Sequence, residues 1–293
     1  MIKEPGVYAM GMAEYQADPC PAPSLSSGIA HRIFTQSPLH AWQAHPRLNP
    51  NHKSEEAKEF DLGACSHALL LEDETGIVEV HFDDWKKKAA QEQRDEARST
   101  GKIPILSRKL AEGRQMASVA KAAIANCQEL EIDLSAGKAE HVLAWRERDV
   151  WCRARPDWHR TGLGMDYKST AGRAEPNAWI RNQMVPLGYD MQAFHYRRGY
   201  IKTVAKQAPQ WVFLVQENYP PYACSFVGLS PAMWEIAERK WAQALALWEA
   251  CLERNIWNGY SLHVAYAEPT NWQLDDDAER SLTFEERLEY ALA

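Results

Sequence analysis

Long apolar runs, closely spaced cysteines and low-complexity segments are all missing from this sequence. An uncharged apolar run such as WVFLV at 211–215 is far shorter than the roughly 20 residues that a membrane-spanning helix needs. The first residues, MIKEPG, lack the apolar core of a secretion signal. We therefore expect a cytoplasmic protein that has no membrane partner.

The cysteines are too scattered to predict a disulfide framework or a clustered metal site. None of the six belongs to a C-x-x-C pair. Disulfide-rich domains and zinc or iron–sulfur sites normally place their cysteines in close pairs, so we expect reduced thiols that pack as small apolar side chains. With 45% hydrophobic and 25% charged residues, the 293-residue chain has the composition of an ordinary globular protein.

The sequence also lacks an overall positive charge, since its formal net charge is −7. Its charges are nevertheless unevenly distributed. Residues 151–206 contain ten Lys and Arg against four Asp and Glu, a local excess of +6. Residues 268–293 contain eight Asp and Glu against two Arg, a local excess of −6. Local fields steer a polyanion, so the basic middle is compatible with a nucleic-acid partner but does not establish one.

Hydrophobic periodicity and turn residues predict an α/β protein with a mixed central β-sheet flanked by helices and with a helical N-terminal part. The predicted strands run over 141–145, 150–155, 163–169, 211–217 and 223–229. The charged residues 146–149 between the first two strands predict that these strands form a hairpin. Two predicted helices, over 175–183 and 187–206, separate the third strand from the fourth. Ser230 and Pro231 then begin a long helix that has a buried apolar stripe.

The composition along the chain predicts three segments. Residues 1–23, rich in Pro, Ala and Gly, are expected to form a loose N-terminal arm. Residues 24–260 carry the alternating helices and strands and are expected to form one domain. Residues 261–293 are expected to form an acidic, solvated and disordered tail.

A Pro-Asp pair ending at Asp157 and an Asp-Tyr-Lys triplet from Asp166 to Lys168 lie on consecutive predicted strands. Because alternate side chains of a strand share a face, Arg153, Arg155 and Asp157 should point one way. Asp166 and Lys168 should share a face of the next strand. Neighbouring carboxylates repel unless a divalent cation such as Mg²⁺ or Mn²⁺ neutralises them, and such a cation activates water against a phosphodiester. The alternative is a hairpin with surface ion pairs.

Three further positions extend this pattern. His67 lies in an apolar helical run, where a lone histidine is either a core residue or a metal ligand. Gln192 and Tyr196 are four residues apart on the helix that follows the lysine strand, so they are neighbours on one helical face. Glu140 precedes the first strand and is either a further acidic partner or a surface carboxylate.

Together these motifs resemble the PD-(D/E)XK nuclease superfamily, and their order over 24–260 is similar to its RecE-like, phage-type exonuclease branch. The resemblance implies a metal site whose ligands are His67, Asp157 and Asp166. It implies that Lys168 serves the attacking water and that Gln192 and Tyr196 support the site or contact DNA. The implied cofactor is Mg²⁺, with Mn²⁺ accepted.

The resemblance further implies a metal-dependent exonuclease that degrades linear double-stranded DNA from its ends in phage-type recombination or DNA processing. The relatives form rings, which implies a homo-oligomer, and they commonly act beside a single-strand annealing protein. Candidate phosphate contacts in the basic middle are Arg153, Arg155, Arg173, Arg181, Arg197, Arg198 and Lys202.

Two alternatives remain beside this expectation. One is a catalytically inactive DNA-binding or assembly protein on the same fold, which the presence of Asp157, Asp166 and Lys168 disfavours. The other is a RecB-like or Cas4-like nuclease of different end specificity. The scattered cysteines and the missing GxxxxGKS/T loop disfavour this second alternative, because such enzymes commonly carry an iron–sulfur cluster or a motor domain.

Overall fold

The computed structural model describes residues 1–52, 61–72 and 74–292 and divides the chain into two units, Met1–Gly259 and Tyr260–Ala293. The helices are α1 (Met12–Gln16), α2 (Ser27–Thr35), α3 (Pro38–Ala44), α4 (Asp61–Leu71), α5 (Lys88–Ser99), α6 (Ser107–Asn126), α7 (Pro176–Trp179), α8 (Tyr189–Thr203), α9 (Pro231–Arg254) and α10 (Asn271–Leu292). The strands are β1 (Gly6–Ala9), β2 (Ile77–Val80), β3 (Ile103–Leu106), β4 (Lys138–Ala139), β5 (His141–Glu147), β6 (Val150–Ala154), β7 (Trp158–Arg160), β8 (Leu163–Thr170), β9 (Gln210–Glu217) and β10 (Cys224–Gly228).

The central sheet has five strands in the order β10–β9–β8–β7–β4. Strands β8 and β9 are parallel, whereas the other neighbours in this sheet are antiparallel. Parallel neighbours need a long crossover, which the chain makes through α7, a π-helical turn over Ile180–Met184, and α8. This architecture confirms the predicted mixed sheet flanked by helices.

A second sheet has the order β1–β5–β6 and contains the predicted hairpin of β5 and β6. Strand β6 ends at Ala154, and β7 begins at Trp158 in the central sheet. The chain therefore changes sheets over residues 155–157. Pro156 has no amide proton for a strand ladder, which accounts for the end of β6 just before it.

The largest core cluster joins these sheets to α2, α8 and α9. Its largest fully buried side chains are Trp145, Trp179, Tyr200, Trp211 and Trp248. Burying a side chain of this size contributes roughly 2–3 kcal/mol. Gly164 makes room for this packing, because a Cβ atom there would lie 2.2 Å from the Trp211 ring. The buried stripe predicted for the long helix is confirmed in α9.

The N-terminal residues are not the loose arm that their composition predicts. Strand β1 pairs with β5, and Ile2 is buried. Asp18 is also buried, and its carboxylate accepts hydrogen bonds from the Ser24 amide at 2.9 Å and the Ser24 hydroxyl at 2.6 Å. The Arg153 guanidinium lies 3.3 Å from the same carboxylate, and His45 lies 3.3 Å from it. This buried polar network ties the N-terminal segment to β6.

Residues 260–293 form a separate unit that contains α10 rather than the expected disordered tail. Thr270 and Gln273 form a reciprocal capping arrangement at its start, with the Thr270 amide donating to Gln273 Oε1 at 2.9 Å. Asp276 and Arg280 add an ion pair one turn apart. These local interactions account for a helix in an acidic sequence. None of the helices in the described residues is long and apolar enough to cross a membrane.

The Asp18 network predicts a large loss of stability when its charge is removed. Asp18→Asn leaves the buried guanidinium of Arg153 without its carboxylate, which should cost about 3 kcal/mol in the free energy of unfolding. Urea denaturation followed by tryptophan fluorescence measures this loss. The control is Asp84→Asn, which removes an exposed carboxylate paired with Lys86. Equal stability of the two variants would contradict a structural role for Asp18.

Candidate metal centre

The two halves of the acidic motif meet at the middle of β8. Asp166 and Lys168 lie on one face of this strand, as predicted, and their side chains form an ion pair. Asp157 is not on a strand, so the expectation that it shares a strand face with Arg153 and Arg155 is wrong. It lies in the sheet-changing segment, where its Oδ2 accepts a hydrogen bond of 2.7 Å from the Tyr167 backbone amide. That bond holds Asp157 against β8.

Burial and charge set the protonation of this pair. Burial, followed by the charge of Asp157, raises the pKa of Asp166 to about 6. Burial also acts to raise the pKa of Asp157, but His67, Lys168 and the Tyr167 amide outweigh it and lower that pKa. Burial acts to lower the pKa of Lys168, but the charges of Asp166 and Asp157 outweigh it. The pKa of Lys168 is therefore raised, and its ammonium stays charged. When both are ionised, the Asp157 and Asp166 carboxylates carry one more negative charge than the Lys168 ammonium balances.

His67 on α4 faces the carboxylates rather than an apolar core. Its Nε2 lies 3.1 Å from Glu140 Oε1 and 3.3 Å from Asp157 Oδ2. Burial lowers the pKa of His67, but the neighbouring carboxylates, Asp157 first, outweigh it and raise that pKa. His67 therefore contacts Asp157, and Asp166 is near enough to raise the pKa of His67 by its charge.

Two more carboxylates complete the cluster. Ligand atoms of His67, Glu72 and Glu140 all lie within 4.8 Å of one another. Glu140 adopts a left-handed backbone conformation (φ 59°), and its amide donates to the Asp157 carbonyl at 3.0 Å. The sequence left the role of Glu140 open and did not single out Glu72. The signal for Glu72 was its place five residues after His67, directly after the last residue of α4.

The donor set fits a divalent cation. Asp166 is buried with one cation, Lys168, at its Oδ2, and its Oδ1 has no hydrogen-bond donor among the described residues. The Glu140 carboxylate lies between Arg155 and His67. Buried carboxylate oxygens without hydrogen-bond donors are costly unless another positive charge approaches them. Oxygen ligands supplemented by one imidazole suit Mg²⁺ and Mn²⁺.

Tyr167, between the two motif residues of β8, points to the opposite face and anchors the cluster from behind. Its hydroxyl donates to Gln216 Oε1 at 2.6 Å and lies 3.0 Å from Ser66 Oγ. Gln216 in turn donates to the Met116 carbonyl at 3.0 Å. This buried network links α4, β8, β9 and α6, so it fixes the helix that carries His67 against the strand that carries Asp166.

Helix α8 flanks the cluster through the predicted Gln-x-x-x-Tyr residues. Gln192 Nε2 donates to the Tyr196 hydroxyl at 3.1 Å, and Tyr196 is buried. Burial, with the charge of Asp166 next, raises the pKa of Tyr196 well above its usual value. Tyr189, one turn earlier, places its ring centroid 4.7 Å from Lys168 Nζ. These residues form one wall of the site.

The structure sorts the predicted phosphate contacts into different environments. Arg153 is buried and bonded to Asp18 and to Ser24, so its assignment as a DNA contact is wrong. Arg155 lies inside the cluster, where it pairs with Glu140, rather than on the outer surface. Both corrections arise because local charge does not distinguish a buried guanidinium from an exposed one.

The remaining predicted cations lie nearer to solvent. Arg173 and Arg181 are exposed. Arg197 packs its guanidinium 4.5 Å from the Trp234 ring centroid. Arg198 and Lys202 both lie beside the Glu147 carboxylate, at 2.6 and 3.8 Å.

Comparison with known proteins gives a family and a fold. A family model described as a PDDEXK-like domain of unknown function (DUF3799) matches residues 30–270. The chain is similar to a crystal structure described as a "putative exonuclease" from Eubacterium rectale, with a TM-score of 0.55 and 8% identity over 90% of this chain and 97% of that chain. At 8% identity, this similarity concerns the fold alone. No curated protein matches the chain.

The raised pKa of Asp166 predicts a pH-dependent effect of its removal. The folded-state pKa of about 6 exceeds the unfolded value near 3.9, so ionisation destabilises the folded state as pH rises through that window. In EDTA, Asp166→Asn should therefore gain about 1–3 kcal/mol in unfolding free energy relative to wild type between about pH 4 and pH 7. Urea denaturation at the two pH values measures the gain.

The control for this measurement is Asp149→Asn, because Asp149 is 96% exposed on its side chain. The difference in unfolding free energy between Asp149→Asn and wild type should stay nearly constant over the same pH range. A stability loss in Asp166→Asn that grows with pH would mean that the Lys168 ion pair dominates over carboxylate repulsion, contrary to our assignment.

Proposed function

The chain belongs to the family of PDDEXK-like domains, and on that basis we propose that it is a metal-dependent nuclease that hydrolyses DNA phosphodiester bonds. The observation that carries the proposal is the convergence of Asp157, Asp166 and Lys168 beside His67 in one largely buried cluster. Carboxylates, an imidazole and an ammonium in this arrangement suit a divalent cation and a negatively charged phosphodiester.

The proposed cofactor is Mg²⁺, with Mn²⁺ accepted. We assign its ligands to His67, Asp157 and Asp166, and Glu72 and Glu140 are further carboxylates within reach. When bound, the cation polarises the phosphodiester and lowers the pKa of water. The ion pair between Arg155 and Glu140 balances one of the negative charges of the carboxylate cluster.

Lys168 is proposed to orient the attacking water and to offset the charge that develops on phosphorus. Its ammonium stays charged beside Asp157 and Asp166, so it acts as a hydrogen-bond donor and a positive charge rather than as a proton acceptor. The ring of Tyr189 supports this ammonium from one side. Gln192 Oε1 has no hydrogen-bond partner among the described residues, and we assign it to substrate positioning.

The finer activity is proposed as that of an exodeoxyribonuclease that degrades linear double-stranded DNA from its ends. The RecE-like order of motifs over residues 24–260, which we take as the nuclease domain, supports this specificity. The similarity in fold to a structure described as a "putative exonuclease" agrees with it. The RecE-like resemblance supports a homo-oligomeric ring that acts beside a single-strand annealing protein in phage-type recombination. A cytoplasmic location is proposed from the sequence of the first residues and from its short apolar runs.

Linear duplex DNA provides the direct test. We expect Mg²⁺-dependent release of nucleotides from linear duplex, no release in EDTA, and survival of covalently closed circular plasmid, because the proposed reaction starts at an end. Gel electrophoresis of matched linear and circular forms of one plasmid measures both. Equal digestion of closed circles would indicate an endonuclease instead.

The inactive variant for this assay is Lys168→Ala. Removing the Lys168 ammonium from beside the reacting phosphate should lower turnover by about a hundredfold or more. The exposed Lys86→Ala serves as its matched control. Near-normal turnover in Lys168→Ala would contradict the assignment of the motif.

His67 predicts a distinct change in metal requirement. Imidazole binds Mn²⁺ more readily than Mg²⁺, so the wild type should reach half-maximal cleavage at a lower Mn²⁺ concentration. His67→Ala should raise the Mn²⁺ midpoint roughly tenfold or more and remove most of the cleavage. Metal titration of cleavage measures the midpoint, with His81→Ala, on an exposed histidine, as control. An unchanged midpoint in His67→Ala would remove it from the ligand set.

A further inference from the structure

A groove between α4 and α6 opens beside the acidic cluster. It has a volume of about 460 Å³ and is lined by Leu69, Glu72, Glu74, Arg114, Ala117, Ser118 and Lys121. Glu72 belongs both to this lining and to the group of ligand atoms around His67. A polymer bound at the cluster can therefore continue directly into the groove, which we call the α6 groove.

The walls of the α6 groove differ in chemistry. Arg114, Ser118 and Lys121 follow one another at steps of four and three residues, so they line one face of α6. Leu69 and Ala117, both buried, add apolar side chains to the lining, and Glu72 and Glu74 add two carboxylates. Two cations and a hydroxyl beside apolar side chains suit a sugar–phosphate backbone, whose phosphates need donors and whose sugars do not.

Arg114 forms an exposed ion pair with Glu74, which a phosphate could replace. Its Nε and Nη2 donate to the two carboxylate oxygens of Glu74 at 3.1 and 3.0 Å, and both side chains are more than half exposed. Arg114 first, and Lys121 more weakly, lower the pKa of Glu74, so both cations act on one carboxylate. Exposed ion pairs contribute little to stability, and a phosphate offers arginine the same two-oxygen geometry. A phosphate can therefore replace Glu74 at Arg114.

Two of the cations that the sequence offered near the motif are not available to DNA. Arg153 and Arg155, which the sequence offered as phosphate contacts on the strands, are committed to Asp18 and Glu140. We propose that the α6 groove binds the phosphates of the DNA strand next to the bond that is cleaved, through Arg114, Ser118 and Lys121. This inference rests on the proposed nuclease function and assigns its strand path.

The test measures binding of a fluorescent linear duplex in EDTA between about 50 and 200 mM salt. Lys121→Gln and Arg114→Gln should each weaken binding roughly threefold to tenfold and lower the slope of log affinity against log salt by about 0.9. Lys109→Gln is the matched control, because Lys109 lies on the same helix and pairs with Glu112 outside the groove. It should bind like wild type.

A fourth variant separates a phosphate site from a structural ion pair. Glu74→Gln frees Arg114 and should tighten DNA binding by about twofold or more. If the pair served only to hold Glu74, which lies in the 3₁₀ turn Glu74–Gly76, against α6, this variant would bind DNA unchanged or more weakly. That result would overturn the proposal.

The proposed nuclease function and the α6 groove fail in different ways. A wild-type protein that neither binds nor cleaves linear duplex would contradict the nuclease itself. A wild type that cleaves normally, together with groove variants that match Lys109→Gln in affinity and salt slope, would overturn the groove alone. A changed Mg²⁺ midpoint of cleavage in Lys121→Gln, without changed DNA affinity, would also overturn it, since the groove would then serve the metal cluster.

Discussion

The hydrogen bond from the Tyr167 amide to Asp157 is the contact on which the centre depends. It holds a carboxylate from the sheet-changing segment against a strand that already carries Asp166. Ionising both of two neighbouring buried carboxylates is energetically unfavourable, because each loses solvation and the two charges repel. Burial and then the charge of Asp157 raise the pKa of Asp166. Against the effect of burial, His67, Lys168 and the Tyr167 amide lower the pKa of Asp157. The two carboxylates in turn outweigh burial at both cations, so they keep Lys168 charged and raise the pKa of His67.

Strand periodicity predicted half of the motif correctly. Asp166 and Lys168 share a face of β8 because alternation along a regular strand is a local property. Asp157 reaches the same place by a different route, since β6 ends before Pro156 and the chain crosses to another sheet. A crossing of this kind depends on long-range packing that no local pattern records. The type and order of the main elements from residue 141 to 254 and the β5–β6 hairpin were predictable, whereas the partners of the other strands were not.

The acidic and basic residues were harder to place than the apolar ones. Glu140 enters the cluster through a left-handed backbone conformation, and Glu72 through the end of a helix, so neither has a periodic signal. Arg153 looked like a surface cation because the count of charges along a segment contains no information on depth. Its burial follows from Asp18, which lies 135 residues earlier in the sequence. Pairs so distant in sequence meet only once the fold is complete.

The network behind β8 gives the centre a mechanical property. Tyr167 joins Ser66 to Gln216, and Ser66 directly precedes His67 on α4. A cation that engages His67 and Asp166 thus clamps the same two elements from the front that Tyr167 clamps from behind. A ligand that binds only the closed state lowers the equilibrium constant for local opening by a factor of one plus the ratio of the free ligand concentration to its Kd. The slowest amide hydrogens of α4 and β8 are consequently reporters of metal loading, readable by hydrogen–deuterium exchange without any nucleic acid present.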